Sequence, residues 1–125
     1  RADDSAIEAE IIAKGLTAPR ITQADIEANI GSANYFTAMD AMREKVHAVG
    51  DEVPLSLLTF CVLVLRNGFT VTGESACASP ENFDAEIGRK IARENAVNKC
   101  WPLLGYELRT RIASGSTTIA DRTRS

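Results

Sequence analysis

The run LSLLTFCVLVLRNGFTVTGESACASPENFDAEIGRKIARENAVNKCW, Leu55–Trp101, carries most of the folding information in this chain. Within it, two apolar segments, Leu58–Leu65 and Phe69–Ala76, flank the pair Asn67-Gly68. Asn and Gly tolerate positive φ, so this pair predicts the tight turn of an antiparallel β-hairpin. Because both alternating sets of the first strand are mostly apolar, we expect that strand to be central and covered on both faces.

A helix over Pro80–Trp101 is predicted to follow the hairpin. Ser79 has the side chain of an N-cap, Pro80 suits the first helical position, and Glu81 complements the positive end of the helix dipole. The free amides at such a helix start attract small anions. A self-sufficient cap is the simpler interpretation of Ser79.

Small residues line one edge of this helix. Gly88, Ala92 and Ala96 recur every four residues, so the hairpin is predicted to pack closely against them. Asn95 falls on the same sheet-facing side, where its amide needs partners. A hydrogen bond to an exposed backbone group of the hairpin is the first interpretation of Asn95, and a ligand contact is the second.

Three shorter helices are predicted before the hairpin. Two begin at spacings that fit capping boxes, Ser5 with Glu8 and Thr22 with Asp25, and predict helices over 5–14 and over 22–31. The third is predicted from apolar residues at helical spacing up to residue 50: Met39, Met42, Val46 and Val49.

The segment after the long helix has two interpretations. Alternating residues from Tyr106 to Ile112 have the period of a strand, and a continued helix is the alternative. The predicted fold class is α+β: N-terminal helices and an antiparallel hairpin, or three strands, packed on one long helix. The predicted boundaries are a helical extension over 1–18, one domain over 19–112 and a polar tail over 113–125.

Composition limits the classes of function. The net charge of -3 and the pI near 5.2 argue against nucleic acid as the main partner. The longest apolar run, residues 57–65, is too short to span a bilayer. Three cysteines and one histidine, His47, lack zinc-site spacing, and an odd cysteine count fits a reducing cytosol. We therefore expect no membrane, metal or cofactor.

Several side chains near the strand-to-helix junction have chemical potential. Arg89, Lys90 and Arg93 fit an anion-binding patch, although the Glu86/Lys90 spacing makes a solvated helix face the simpler interpretation. Cys77 precedes the helix, where the dipole favours a thiolate, yet a structural thiol is the simpler interpretation. The carboxylates at this junction are Glu74, Glu81, Asp84 and Glu86, and the aromatic residues predicted to lie in the core are Phe83, Trp101 and Tyr106.

The segments LLTFCVLVLRNGFTVTGESA and SPENFDAEIGRKIARENAVNKCWPLLGYEL resemble a family of small tailed-bacteriophage proteins of unknown function, shared by N-four-like podoviruses and a Shigella phage. The similarity covers residues 19–112. The resemblance implies a phage gene product that acts in the host bacterial cytoplasm, and it implies no catalytic residues.

Two hypotheses of function follow. The first is a non-enzymatic, homo-oligomeric phage accessory protein that serves counter-defence or host takeover by capturing a host protein or a small nucleotide-like anion. The alternative is a small enzyme that uses Cys77 and the junction carboxylates. The absence of a catalytic triad or glycine-rich phosphate motif favours the first. Its predicted ligand-binding residues are Ser75, Ser79, Asn82, Arg89, Arg93 and Asn95.

Overall fold

The computed structural model describes residues 4–16, 18–42 and 50–115. The described residues form an α+β fold, as predicted, and belong to two compact units: one holds the residues up to 29 and from 99 onward, and the other holds residues 30–98. The predicted boundaries at residues 18 and 112 stay predictions. In chain order the elements are α1 (Asp4–Ala13), α2 (Gln23–Ala28), β1 (Ile30–Thr37), α3 (Ala38–Met42), α4 (Glu52–Ser56), β2 (Leu58–Leu65), β3 (Thr70–Ala76), a 3-10 turn (Pro80–Asn82) and α5 (Ala85–Ala113).

The sheet is antiparallel with the strand order β1-β2-β3, so β2 is central as predicted. Along β2, buried residues alternate with half-buried ones. The buried set faces α5 and consists of Thr59, Cys61, Leu63 and Leu65. The prediction of full cover on both faces is therefore wrong for the second face, which is half-buried.

The hairpin turn differs in detail from the predicted one. Only Gly68 has a positive φ, at 89°, and no non-glycine residue among the described ones has a positive φ. Asn67 contributes through its side chain, whose Oδ1 accepts a hydrogen bond from the Phe69 N–H at 2.9 Å. The Gly68 N–H donates to the Leu65 carbonyl at 2.9 Å, which closes the turn around the glycine.

Strand β1 was missed by the sequence analysis. The predicted capping box at Thr22 and Asp25 is confirmed, but the helix ends at Ala28, and Ile30–Thr37 form a strand instead of the end of a helix. Its residues include Gly, Ser and Asn, which are poor strand formers, so local propensity does not explain it. β1 forms because the backbone groups on that side of β2 need partners once the hairpin packs on α5.

The long helix begins later and ends later than predicted. Ser79 makes no side-chain cap, and a short 3-10 turn follows it. The cap of α5 is Asp84, whose Oδ1 accepts a hydrogen bond from the Ile87 N–H at 3.0 Å. α5 then continues through Pro102 to Ala113, so the predicted third strand over residues 106–112 is wrong and its helical alternative is confirmed.

Burial explains why residues 106–112 are helical. Cys100, Leu104 and Leu108 are buried and recur every four residues, which is the spacing of one helix face. Tyr106 is 78% exposed, so its predicted place in the core is wrong, whereas Trp101 and Phe83 are half-buried.

The other predicted helices are confirmed in part. α1 starts at Asp4, so Ser5 lies inside the helix and not at its N-cap, and Gly15 follows the helix with a φ of 69°. α3 is preceded by a reciprocal cap, in which the Thr37 N–H donates to Asp40 Oδ2 at 2.8 Å. Residues 43–49, with Val46, His47 and Val49, and the tail after residue 115 lie outside the described residues.

The sheet and α5 meet through residues without bulky side chains, as predicted. Ala92 and Ala96 are fully buried. A Cβ atom on Gly73 of β3 would lie 2.2 Å from the Ala92 carbonyl oxygen and 2.3 Å from the Ala96 nitrogen. A Cβ atom on Gly88 would lie 3.0 Å from Thr59 Oγ1. The two backbones are so close that only glycine fits at residue 73.

Candidate functional site

α5 divides the face of the sheet that it covers into two sides. The row of Gly88, Ala92 and Ala96 lies over the sheet. With 100° per residue, Ile87, Ile91 and Asn95 lie on one side of this row, towards β3, and Arg89 and Arg93 lie on the other, towards β1. We call these sides the β3 flank and the β1 flank.

The β1 flank contains a cavity of about 90 Å³ next to Arg89. Tyr35, Thr37 and Phe83 line it, and Phe36 borders it from β1, although the Phe36 ring stacks on Phe60 on the face of the sheet away from α5. Arg89 is exposed and has no hydrogen-bond or ion-pair partner among the described residues. The flank thus combines a guanidinium group with aromatic surfaces and a hydroxyl group.

Arg93 extends this flank by one helical turn and lies close to a pair formed by the exposed Tyr35 and the buried Cys61. Tyr35 and Cys61 are directly opposite each other on β1 and β2, and their side chains hydrogen bond, while Arg93 hydrogen bonds to Tyr35. Burial raises the pKa of Tyr35, and the nearby Cys61 adds to this, while Arg93 opposes it. The Tyr35 hydroxyl therefore keeps its proton at neutral pH.

Burial also raises the pKa of the Cys61 thiol, and this effect outweighs the Tyr35 hydrogen bond and the Arg93 charge, which lower it. A thiol that stays protonated is a poor nucleophile. Cys61 is fully buried, so its place in the structure is that of a packing residue.

Asp40 is the acidic residue at the β1 cavity. Its carboxylate accepts the Thr37 N–H, and its own N–H donates to Thr37 Oγ1 at 3.1 Å. One carboxylate oxygen is thus engaged in capping α3, which reduces but does not remove its repulsion towards an anion.

The β3 flank contains a second cavity, of about 130 Å³, lined by Ser75, Cys77, Asn82 and Asp84 together with Ile87 and Ile91. No basic side chain lines it among the described residues. The Cys77 thiol donates to the Ser79 carbonyl at 3.2 Å, and the Asp84 carboxylate caps α5. This cavity suits an anion less well than the β1 flank does.

The structure separates the six predicted ligand-binding residues into two groups. Ser75 and Asn82 line the β3 cavity, Ser79 adjoins it through its carbonyl, and Asn95 lies on the same flank. Arg89 and Arg93 lie on the β1 flank. Because α5 begins at Ala85, the helix N-terminus that was predicted at Ser79 is absent. Binding by any of these residues stays a prediction.

The structure confirms the first interpretation of Asn95, a hydrogen bond from its side chain to the backbone of the hairpin. Its Nδ2 donates to the Glu74 carbonyl of β3 at 2.8 Å, although the side chain is exposed and not buried as expected. The Glu86/Lys90 pair is also confirmed, with 3.3 Å between Oε1 and Nζ and both side chains about 70% exposed. Lys90 therefore belongs to the solvated face of α5.

Sequence reasoning missed the β1 contribution to this flank. Tyr35, Phe36 and Thr37 lie in the strand that was not predicted. The available signal was the pair of aromatic residues followed by Thr37 and Asp40 at the spacing of a helix cap.

A separate cleft of about 460 Å³ lies between α1 and α2. Its polar feature is a bidentate ion pair, in which Arg20 Nη2 donates to Glu8 Oε2 at 3.0 Å and Nη1 donates to Oε1. Because Glu8 occupies this guanidinium, the cleft offers no ready cation to an anionic ligand. Its apolar lining consists mainly of Ile7, Ile11, Ile21 and Trp101.

Two further classes of site are absent from the described residues. They contain no cluster of three His, Cys, Asp or Glu side chains that could hold a metal ion. They also contain no helix long and apolar enough to cross a bilayer.

The sheet on one long helix defines a small α+β protein, and the family model described as Phage protein (N4 Gp49/phage Sf6 gene 66) family matches residues 21–112. The chain belongs to this phage family, which confirms the resemblance seen in the sequence. No curated protein and no solved structure matches the chain significantly.

Proposed function

We propose that this chain is a phage accessory protein that acts by binding, and that its ligand is a small anionic, nucleotide-like molecule held on the β1 flank. The observation that supports this is the placement of Arg89 and Arg93 one turn apart on α5, beside the aromatic side chains of Tyr35 and Phe83. Capture of a nucleotide signal would serve the phage in counter-defence.

The chemistry of the flank matches the two parts of a nucleotide. Guanidinium groups bind phosphate oxygens through charge-assisted hydrogen bonds. Aromatic rings stack on bases. The cavity holds about 90 Å³, whereas pockets that enclose a whole small ligand hold roughly 300 Å³ or more. The phosphate group would therefore occupy the cavity, and the base would lie along the open edge.

The enzyme alternative has less support. The Cys77 thiol uses its proton in the hydrogen bond to Ser79, and Asp84 is engaged as a helix cap. A cysteine nucleophile needs a base that removes this proton. His47, the single histidine of the chain, lies outside the described residues.

Calorimetry with a panel of mono-, di- and cyclic nucleotides tests the proposal. We expect one class to bind and Arg89→Ala to weaken that binding about 10-fold or more, because charge-assisted hydrogen bonds contribute about 1.5 to 3 kcal/mol. Lys90→Ala is the matched control, since it removes one positive charge from the adjacent position on the solvated face. This control should bind as the parent does.

Two other results would contradict the proposal. If no nucleotide gives heat, host-protein capture becomes the better interpretation of the same flank. If Ser75→Ala or Asn82→Ala abolishes binding while Arg89→Ala does not, the ligand lies in the β3 cavity.

A further inference from the structure

The hydrogen-bonding pattern of the sheet leaves backbone groups of β1 unpaired. The Cys77 N–H donates to the Leu57 carbonyl, and the Leu65 N–H donates to the Phe69 carbonyl. Odd-numbered residues of β2 therefore direct their backbone groups to β3, and even-numbered ones direct theirs to β1, because these directions alternate along a strand.

The same alternation applies to β1. Ser32, Asn34 and Phe36 are opposite the even-numbered residues of β2 and pair with them. Ala33 and Tyr35 lie between them and direct their N–H and C=O groups away from the sheet. Within the described part of the chain, these four backbone groups have no protein partner.

The β1 edge also lacks the features that block pairing with another strand. Its sequence, IGSANYFT, contains no charged residue and no proline, both of which protect natural sheet edges. A register shift between Ile30 and Ser32 affects only its first residues. The run from Ser32 to Thr37 is regular and can accept a further strand.

The opposite edge of the sheet, along β3, is less able to pair with a further strand. β3 carries the charged residue Glu74, and the outward-facing carbonyl of this residue is occupied by the Asn95 amide. Pairing two copies of β3 would bring two Glu74 side chains close together and displace this hydrogen bond. The two edges therefore differ in their capacity to add a strand.

We propose that β1 pairs antiparallel with β1 of a second copy of this chain, which gives a two-fold dimer with a continuous six-stranded sheet. The register that uses all four free groups is centred on Asn34, with Ala33 opposite the partner's Tyr35 and Tyr35 opposite the partner's Ala33. A register centred on Tyr35 would need the Thr37 N–H, which already donates to Asp40. Self-pairing of this neutral strand places no like charges opposite each other.

The backbone groups that form this dimer are distinct from the side chains of the proposed ligand site. In antiparallel pairing about a two-fold axis, both α5 helices lie on the same face of the sheet, with their β1 flanks towards each other. The arginine residues of the two flanks then repel each other, so the dimer should tighten as the concentration of simple salt rises.

A cross-linking experiment tests the register. Asn34 is opposite itself in the proposed dimer, in a pair whose Cα atoms lie about 4.5 Å apart, which is within disulfide range. In a Cys77→Ser background, Asn34→Cys should give a covalent dimer under mild oxidation. Thr72→Cys is the matched control, because Asn34 and Thr72 both flank Val62 on the same face of the sheet. The control should stay largely uncrosslinked.

A second experiment tests the edge itself. Ala33→Pro removes an outward-facing N–H without touching the pairing of β1 with β2, and Thr72→Pro does the same on the β3 edge. Sedimentation should show that Ala33→Pro weakens the dimer about 10-fold or more, since two hydrogen bonds are lost per dimer, and that Thr72→Pro leaves it unchanged.

The proposal fails if the parent chain is a monomer at concentrations on the order of 50 μM. It also fails if Asn34→Cys cross-links no faster than Thr72→Cys. Circular dichroism shows whether Ala33→Pro still folds, and if it does not, the cross-linking result alone decides the matter.

Discussion

The two flanks of α5 lie on either side of the same row of small residues but differ in how their polar groups are used. On the β3 flank, Asn95, Cys77 and Asp84 each make a hydrogen bond within the protein. On the β1 flank, Arg89 has no such partner among the described residues, and Tyr35 is 37% exposed. The polar groups on the β3 side of α5 thus stabilise the fold through internal hydrogen bonds, whereas the guanidinium group of Arg89 on the β1 side is available to a ligand.

The contact of β3 with α5 should produce the largest effect on stability. Gly73→Ala would force a Cβ atom against the Ala92 carbonyl and the Ala96 nitrogen, and neither backbone can yield without separating the sheet from the helix. We expect a loss of about 3 kcal/mol or more in the free energy of unfolding, measured by urea denaturation.

Gly105→Ala is the control for the loss of a glycine. No atom lies within 4 Å of the Cβ position at Gly105, which is inside α5. This variant should gain about 0.5 to 1 kcal/mol, because alanine favours the helix. Equal stability of the two variants would show that the close approach at Gly73 is wrong.

The hydrogen bond of Asn95 should produce the next largest effect. Asn95→Asp keeps the shape of the side chain but replaces the donor to the Glu74 carbonyl with an oxygen. We expect a loss of about 1 to 2 kcal/mol. Arg89→Ala on the other flank should change the free energy of unfolding by less than about 0.5 kcal/mol. If Arg89→Ala destabilises the protein as much as Asn95→Asp does, the two flanks do not differ as we describe.

The smallest effect should appear at alkaline pH. Burial raises the pKa of the Cys61 thiol above its ordinary value of 9.0, so the unfolded chain loses this proton first as the pH rises. The unfolded state then binds fewer protons than the folded state, and stability falls, by at most about 1.4 kcal/mol per pH unit for one group. The fall begins near pH 9 and ends at the raised pKa of the folded state. Urea denaturation between pH 7 and 10 should show a shallower decline in Cys61→Ala, and identical slopes would contradict this account.

Short-range patterns predicted the contacts of the hairpin with α5. The alternation in Leu58–Leu65, the glycine after Asn67 and the small residues every four positions each act within a few residues of the chain. The hydrogen bond of Asn95 to the hairpin was predicted from the need of a buried amide for a partner, although the Asn95 side chain is exposed. The candidate site was predicted less well, because its six residues were grouped by their distance in sequence, and α5 separates them into two flanks.

The sequence by itself determined the α+β class, the hairpin, the central place of β2 and the phage family, because these depend on local periodicity, turn residues and motif spacing. Only the tertiary structure decided that Ile30–Thr37 is a strand and that residues 106–112 are helical. In the first case the unpaired backbone of β2 outweighed weak local propensity. In the second, the burial of Leu104 and Leu108 on one helix face outweighed an alternating pattern of polarity.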